Sequence, residues 1–157
     1  MEMTVINPGA VFGPSLGATI DGQSVAMMTK MITGKIPMIP DMAMGMIDVR
    51  DVAKLHVTAM TAKGAAGKRF IACTADPVEM ATVAQVLREA GYKKAPSMKA
   101  PTFLLKFMSK FDAETKGMLP FIGRKASYDN SATFEILSWK PTPMATSFRE
   151  MAMSIAT

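Results

Sequence analysis

The sequence predicts an α/β fold in which parallel strands are joined through helices and followed by a mostly helical carboxyl-terminal part. Short apolar, partly β-branched runs alternate with helix-like segments over the first 90 residues. Glycine and proline residues separate these segments. Because each strand reaches the next through a helix, the strands are expected to pair in parallel.

The first strand is predicted at residues 3–6, followed by a loop that Pro8 and Pro14 bracket. The run is apolar apart from Thr4, as expected of a strand that is covered on both faces. In open α/β sheets, ligands bind beyond the carboxyl ends of the strands. The loop is therefore a candidate ligand rim, in which glycines let the backbone approach a ligand.

The later elements are predicted from apolar spacing and from helix-breaking residues. They are a helix at 22–33, an extended segment at 36–40, a strand from 45 passing into a helix, a strand at 69–73, helices at 78–90, 101–110 and 112–118, a brief strand at 127–128, and helices at 131–137 and 144–156. Asp48 and Asp51 are expected to cap the helix that follows them rather than to form a catalytic carboxylate pair. No linker divides the chain, so residues 1–157 are predicted to form a single region.

Composition is typical of a globular domain, with 49% hydrophobic and 20% charged residues. The net charge of +5 comes from residues 88–157, which carry 11 basic and 6 acidic side chains. Lysines follow one another over residues 93–110 without an acidic residue between them. Because no known nucleic-acid-binding motif accompanies them, we expect a solvated basic face and no nucleic-acid partner.

The low numbers of cysteine and histidine residues exclude or disfavour several kinds of functional site. Cys73 is the only cysteine, so no internal disulfide forms, which fits a cytoplasmic location. His56 is the only histidine, which excludes a multi-histidine metal site, and its place in an apolar stripe predicts a core histidine. No apolar run reaches the length of a membrane helix, so no membrane partner is expected.

Three ordered segments resemble one known family, the extended short-chain dehydrogenases/reductases. Residues 7–14 resemble the loop after the sixth strand, residues 47–56 a strand-to-helix segment, and residues 128–141 the carboxyl-terminal signature. The nearest likeness is to the dihydroflavonol-4-reductase-like branch of the NAD-dependent epimerases/dehydratases. Ser138 stands where that signature usually has glycine.

The resemblance implies an incomplete part of a doubly wound, Rossmann-like parallel sheet with a mostly helical, carboxyl-terminal substrate-binding region. It covers the whole chain but only the second half of such an enzyme. The family's glycine-rich loop and its Tyr-x3-Lys catalytic pair belong to the cofactor-binding half, and neither motif occurs in these 157 residues. No catalytic residue is therefore assigned.

The resemblance also implies a role for ten residues. The nicotinamide of NAD or NADP would be contacted by backbone groups of Pro8, Gly9, Ala10 and Val11. The substrate wall would consist of Gly13, Pro14, Ser15 and Leu16, with Met44 and Met46 on its far side.

Two functional hypotheses remain open. In the first, the chain is the substrate-binding portion of a reductase that acts on a small carbonyl or alcohol compound. This portion would be inactive alone. The nicotinamide cofactor would bind either only in the parent enzyme or also in this chain. In the second, it is a non-catalytic interaction module or a truncated gene product of that family. An unpaired edge at residues 3–6 would then favour a homo-oligomer.

Overall fold

The α/β fold is confirmed by a computed structural model, which describes residues 2–15 and 22–156. Its strands are β1 (Val5–Pro8), β2 (Ala10–Phe12), β3 (Ala43–Met44), β4 (Met46–Asp48), β5 (Arg69–Ala72) and β6 (Val78–Glu79). Its helices are α1 (Gln23–Thr33), α2 (Val49–Thr61), α3 (Met80–Glu89), α4 (Thr102–Met108), α5 (Ala113–Met118), α6 (Ser131–Leu137) and α7 (Met144–Ala156), with a 3-10 turn at Leu119–Phe121.

The opening segment is one extended stretch that changes its neighbour at Gly9. Up to Pro8 it pairs in parallel with β5, and from Ala10 it pairs in parallel with β4. The predicted parallel pairing is confirmed. The prediction of a loop between Pro8 and Pro14 is wrong for residues 10–12, because these residues form a strand that pairs with β4.

Two further strand predictions need correction. The helix predicted from residue 78 begins at Met80, because residues 78–79 pair antiparallel with β3. The brief strand predicted at residues 127–128 is absent from the described structure, where the Tyr128 amide donates to the Ala75 carbonyl without forming a ladder. The extended segment at 36–40 is confirmed by a single parallel bridge between Ile39 and Lys99.

The buried apolar residues form two cores, and β2 and β4 contribute side chains to both. The first core joins α1, α3 and α7 to β2 and β4, with Phe12 and Phe148 in edge-to-face contact at 5.2 Å. The second packs α2 and α6 against β1 and β5, around Phe70 and Leu137. Along β2 the side chains alternate between the cores, since Ala10 and Phe12 pack in the first and Val11 packs against the second.

The prediction of a core histidine is wrong. The His56 side chain is exposed, and its Nδ1 lies 2.8 Å from the Val52 carbonyl oxygen one turn earlier. Helix α2 faces the sheet with Val52, Leu55 and Ala59, so His56 and Met60 fall just outside the buried stripe. The solvated basic face is confirmed, since each lysine between residues 93 and 110 is exposed.

The turn at Ser138 keeps a left-handed backbone, with φ 50° and ψ 40°, although the residue is not glycine. Among the described residues it is the single non-glycine position with positive φ. The turn leads into Trp139, which is buried in the second core. Ser138 thus adopts a conformation that glycine adopts most readily.

Candidate functional site

The candidate site lies at the carboxyl ends of β1 and β5. These two parallel strands end side by side, with Pro8 opposite Ala72. The Gly9 amide donates to the Ala72 carbonyl at 3.1 Å, and the next amide, of Ala10, donates to the Gly45 carbonyl at 2.9 Å. Successive amides therefore bond to different neighbours, and the backbones of three segments meet at this point.

The meeting point has no room for side chains at two positions. A Cβ atom on Gly9 would overlap the Gly45 carbonyl oxygen and lie 2.7 Å from the Cys73 Cβ. A Cβ atom on Gly45 would lie 2.6 Å from the Cys73 Sγ and 2.9 Å from the Tyr128 ring. The protein itself occupies the space beside both glycines. Glycine at position 9 is thus required by the packing of the protein itself. From the sequence, its expected role was to let the backbone approach a ligand closely.

The four residues predicted to contact the nicotinamide lie together along this edge. Pro8 is exposed, and Gly9, Ala10 and Val11 are partly buried. The sheet already uses the amides of Gly9 and Ala10, so these N–H groups are not available to a ring. What the edge can offer a planar ligand is van der Waals contact with the exposed Pro8 ring. The Val11 side chain packs against the second core.

The residues predicted to form the substrate wall separate into accessible and buried groups. Pro14, Ser15 and Met44 are partly buried, and the Ser15 amide lies 3.3 Å from the Ser154 Oγ of α7. Leu16 lies outside the described residues. Met46 is wrongly assigned to the wall, because its side chain has no exposed surface and packs within the first core.

Gly13 packs against the beginning of α2. Its φ is +135°, a conformation that side-chain-bearing residues rarely adopt. A Cβ atom there would lie 2.7 Å from a Val49 methyl group and 3.3 Å from the Asp48 Oδ2. The predicted wall residue therefore sits directly over a buried carboxylate.

Asp48 is confirmed as a helix cap, and it has a second role that the sequence did not indicate. Its carboxylate accepts hydrogen bonds from the Arg50 amide at 2.8 Å and from the Arg50 guanidinium at 2.8 Å. It also accepts from the Ser147 hydroxyl of α7 at 2.5 Å, and its side chain is fully buried. Arg50 continues the network to Glu150 at 2.6 Å.

The electrostatics of this network favour an ionised Asp48. Burial by itself would raise the pKa of Asp48, but hydrogen bonds from Arg50 and Ser147 outweigh that effect and hold the pKa below its ordinary value. The same contact raises the pKa of Arg50. The nearby Asp51, also buried, accepts from the amide and hydroxyl of Thr142 at 2.6 and 2.9 Å. Both acids therefore fasten the start of α2 to the carboxyl-terminal segment.

The Cys73 thiol lies beside the Gly9 junction, the point where the three backbone segments meet, and it is not suited to nucleophilic catalysis. Burial raises the pKa of the Cys73 thiol, which keeps it protonated and unreactive. Across residues 2–15 and 22–156, no cluster of His, Cys, Asp and Glu side chains could hold a metal ion. None of the helices in that part of the chain has the length and apolar character needed to cross a membrane.

Two surface grooves, of about 470 and 640 Å³, lie at the opposite end of β1. Both include Glu2, and the larger also includes Ile6 and Met60 of α2. Ligands of open α/β sheets bind at the carboxyl ends of the strands. We therefore assign neither groove, both at the amino end, to the cofactor or the substrate.

Comparison with curated proteins finds similarity to reductases, although no family model matches the chain. The chain is 35% identical over 72 residues to cinnamoyl-CoA reductase 1 of Arabidopsis thaliana, which covers 46% of this chain and 21% of that protein. It is 33% identical over 89 residues to ketoreductase nvfG of Aspergillus novofumigatus (strain IBT 16806), which covers 56% of this chain and 26% of that protein.

Comparison with solved structures identifies the fold. The yeast methylglyoxal/isovaleraldehyde reductase Gre2 complexed with NADPH matches 99% of this chain with a TM-score of 0.71 and 24% identity. UDP-glucose 4-epimerase of Thermotoga maritima with UDP-glucose matches 99% with a TM-score of 0.70 and 22% identity. The matches cover 47% and 46% of those two chains. This chain thus spans a little under half the length of its structural neighbours.

Proposed function

Because the chain is related in sequence and in fold to the extended short-chain dehydrogenases/reductases, we propose that it is the substrate-binding portion of an NAD(P)-dependent reductase. The reaction is hydride transfer between the nicotinamide and a small carbonyl or alcohol compound. The observation that carries the proposal is the position of Pro8–Val11, at the carboxyl end of β1 and beside the end of β5.

The chemistry of this edge suits one face of a nicotinamide. When bound, the cofactor supplies or accepts the hydride, and the protein's task is to fix the reacting face and to keep water away. Pro8 presents an exposed ring, and Val11, three residues later, is partly buried against the second core. We assign these two side chains to contact with the ring, and we remove the amides of Gly9 and Ala10 from that role because the sheet uses them.

The remaining requirements of the reaction are not met by this chain alone. Reduction of a carbonyl also needs a proton donor at its oxygen. In the related family a Tyr-x3-Lys pair supplies it, but Tyr92 and Tyr128 are followed four positions later by Pro96 and Ala132. The dinucleotide phosphates also need a glycine-rich loop at a helix start, which the sequence lacks.

We therefore expect the purified 157-residue chain to show no NADH or NADPH turnover with a panel of aldehydes and ketones. Absorbance at the reduced-nicotinamide band is the measurement, and a reaction without protein is the blank. A longer polypeptide, in which a glycine-rich loop and a Tyr-x3-Lys pair precede these residues, is expected to turn over. Turnover by the 157 residues above the blank would contradict the assignment.

A further inference from the structure

Residues 101–122 form a helical excursion whose two ends are fixed to the same short segment of the fold. The Ala100 amide donates to the Ile39 carbonyl at 2.7 Å, and the Gly123 amide donates to the Asp41 carbonyl at 2.8 Å. Between these two bonds lie α4, α5 and the 3-10 turn, and α4 contains no buried residue. The excursion therefore presents much of its surface outward.

The outer side of α4 carries three exposed phenylalanines. Phe103, Phe107 and Phe111 follow one another at four-residue spacing, which places them on one face of a helix. The chain keeps turning past the end of α4, since the Phe111 amide donates to the Met108 carbonyl at 2.9 Å. The three residues are 75%, 60% and 81% exposed. We call them the phenylalanine stripe, and an exposed apolar row of this kind marks an interaction surface.

Lysines are interleaved with the phenylalanine stripe. Lys106 and Lys110 directly precede Phe107 and Phe111, and both lysines are exposed. Neither lysine takes part in an ion pair within the part of the chain that the structure describes. The sequence has no acidic residue at positions 90–111. The surface is therefore apolar and positively charged at the same time.

The charge of the stripe decides which partner suits it. Phenylalanine side chains enter the boundary between headgroups and acyl chains of a bilayer, while lysine stems lie along it and place their ammonium groups at anionic headgroups. A second copy of the stripe would bring the lysines of both copies together without an acid between them. A covering protein surface, including a preceding part of the same polypeptide, would have to pair Lys106 and Lys110 with acids or bury them unpaired.

The geometry of the rings also disfavours a nucleic-acid strand. Proteins that bind single strands stack the bases on the open faces of aromatic rings. The rings of Phe107 and Phe111 instead contact each other edge to face, with centroids 5.7 Å apart and an angle of 62° between their planes. They therefore present no flat platform for successive bases.

We propose that the phenylalanine stripe binds the surface of an anionic phospholipid membrane, with its three rings among the headgroups and with Lys106 and Lys110 at the lipid phosphates. The expectation of no membrane partner came from the length of the apolar runs, which bears on spanning segments and not on binding at the surface. This inference does not depend on the proposed reductase function.

The test is co-sedimentation of the 157-residue chain with vesicles of phosphatidylcholine that contain about 30% phosphatidylserine, and with vesicles of phosphatidylcholine alone. We expect binding to the anionic vesicles that weakens at high salt, and much weaker binding to the neutral vesicles. Lys106→Glu combined with Lys110→Glu is expected to reduce partitioning by about thirtyfold or more, since each lysine near an anionic surface contributes roughly a factor of five.

The matched control for the charge is Lys54→Glu combined with Lys63→Glu. Both of these lysines are exposed, one in α2 and one just after it. The control lowers the net charge by the same amount, and it is expected to reduce partitioning by no more than about threefold, because salt screens charges that lie away from the membrane.

Insertion of the rings is tested by Phe103→Ser combined with Phe107→Ser. This variant is expected to reduce partitioning by about tenfold or more, because it removes the apolar area that enters the bilayer. The matched control is Val57→Ser combined with Met60→Ser, which removes apolar side chains of α2 that are 67% and 82% exposed and should leave partitioning unchanged. Amide hydrogen exchange at residues 103–110 is expected to slow when anionic vesicles are added.

The proposal would be overturned by absent binding, by equal binding to neutral and anionic vesicles, or by stripe variants that bind as well as the wild type. Binding to a single-stranded oligonucleotide but not to the vesicles would also overturn it. A longer polypeptide, in which a glycine-rich loop precedes these residues, is expected to bind the anionic vesicles as well. If only the 157-residue chain binds them, a preceding part of the fold covers the stripe and the proposal fails.

Discussion

Replacing Gly9 by alanine is expected to destabilise the fold by about 3 kcal/mol or more. The added methyl group would overlap the Gly45 carbonyl and lie 2.7 Å from the Cys73 Cβ. Neither neighbour is the flexible end of a long side chain, so relief requires the strands to separate. Urea denaturation followed by circular dichroism measures the loss, which corresponds to a fall in melting temperature of roughly 6–12 °C.

Gly117→Ala is the control for this variant. Gly117 lies in α5, and a Cβ atom there would meet no other group within 4 Å. Alanine is a better helix former than glycine, so this variant is expected to be stabilised or unchanged, within about 1 kcal/mol. A Gly9→Ala protein as stable as the wild type would show that the backbones of Gly9 and Gly45 are not in close contact.

Asp48→Asn is expected to destabilise the fold by about 3 kcal/mol at neutral pH. The substitution keeps the size of the side chain but removes the charge that faces Arg50, and it leaves the donors of Arg50 and Ser147 with a poorer acceptor. The exposed Asp76 is the matched control, and Asp76→Asn should change the free energy of unfolding by no more than about 0.5 kcal/mol.

The pH dependence of the free energy of unfolding distinguishes the effect of the Asp48 charge from the effect of its side-chain shape. Its folded-state pKa is below the ordinary value of 3.8, so its contribution to stability is fully present above pH 3.8. That contribution decreases as the pH falls from this value through the lower pKa of the folded state. In acid denaturation, wild type and Asp48→Asn should therefore become more similar below pH 3.8. A stability difference that stays constant through this range would contradict an ionised, buried Asp48.

The sequence predicted the order of the main elements because their signals are local. Helix α1 ends at Thr33, where it was predicted to end, with Gly34 following at φ 79°, and Asp48 caps α2. The strand at Ala10–Phe12 was missed because its cause is distant. A loop rich in glycine and proline becomes a strand only when β4 lies beside it, and local propensity does not report this.

The candidate site was predictable in location but not in chemistry. The family resemblance identified Pro8–Val11, and these residues do lie at the carboxyl edge of the parallel strands. It did not show that the amides of Gly9 and Ala10 are used by the sheet, or that Met46 is buried. Nor did it indicate the hydrogen bond between Asp48 and Ser147. These residues are 99 positions apart, and no local sequence pattern predicts a contact over that distance.

The central claim is that Pro8–Val11 form one wall of a nicotinamide site, and nuclear magnetic resonance tests it most directly. The ¹⁵N-labelled chain is titrated with reduced nicotinamide mononucleotide, which carries the ring without the adenosine half. Adenosine monophosphate at the same concentration is the control ligand. We expect amide shifts at Gly9, Ala10 and Val11 with the nicotinamide compound and none with adenosine monophosphate. Shifts confined to other parts of the chain, or none up to about 10 mM, would contradict it.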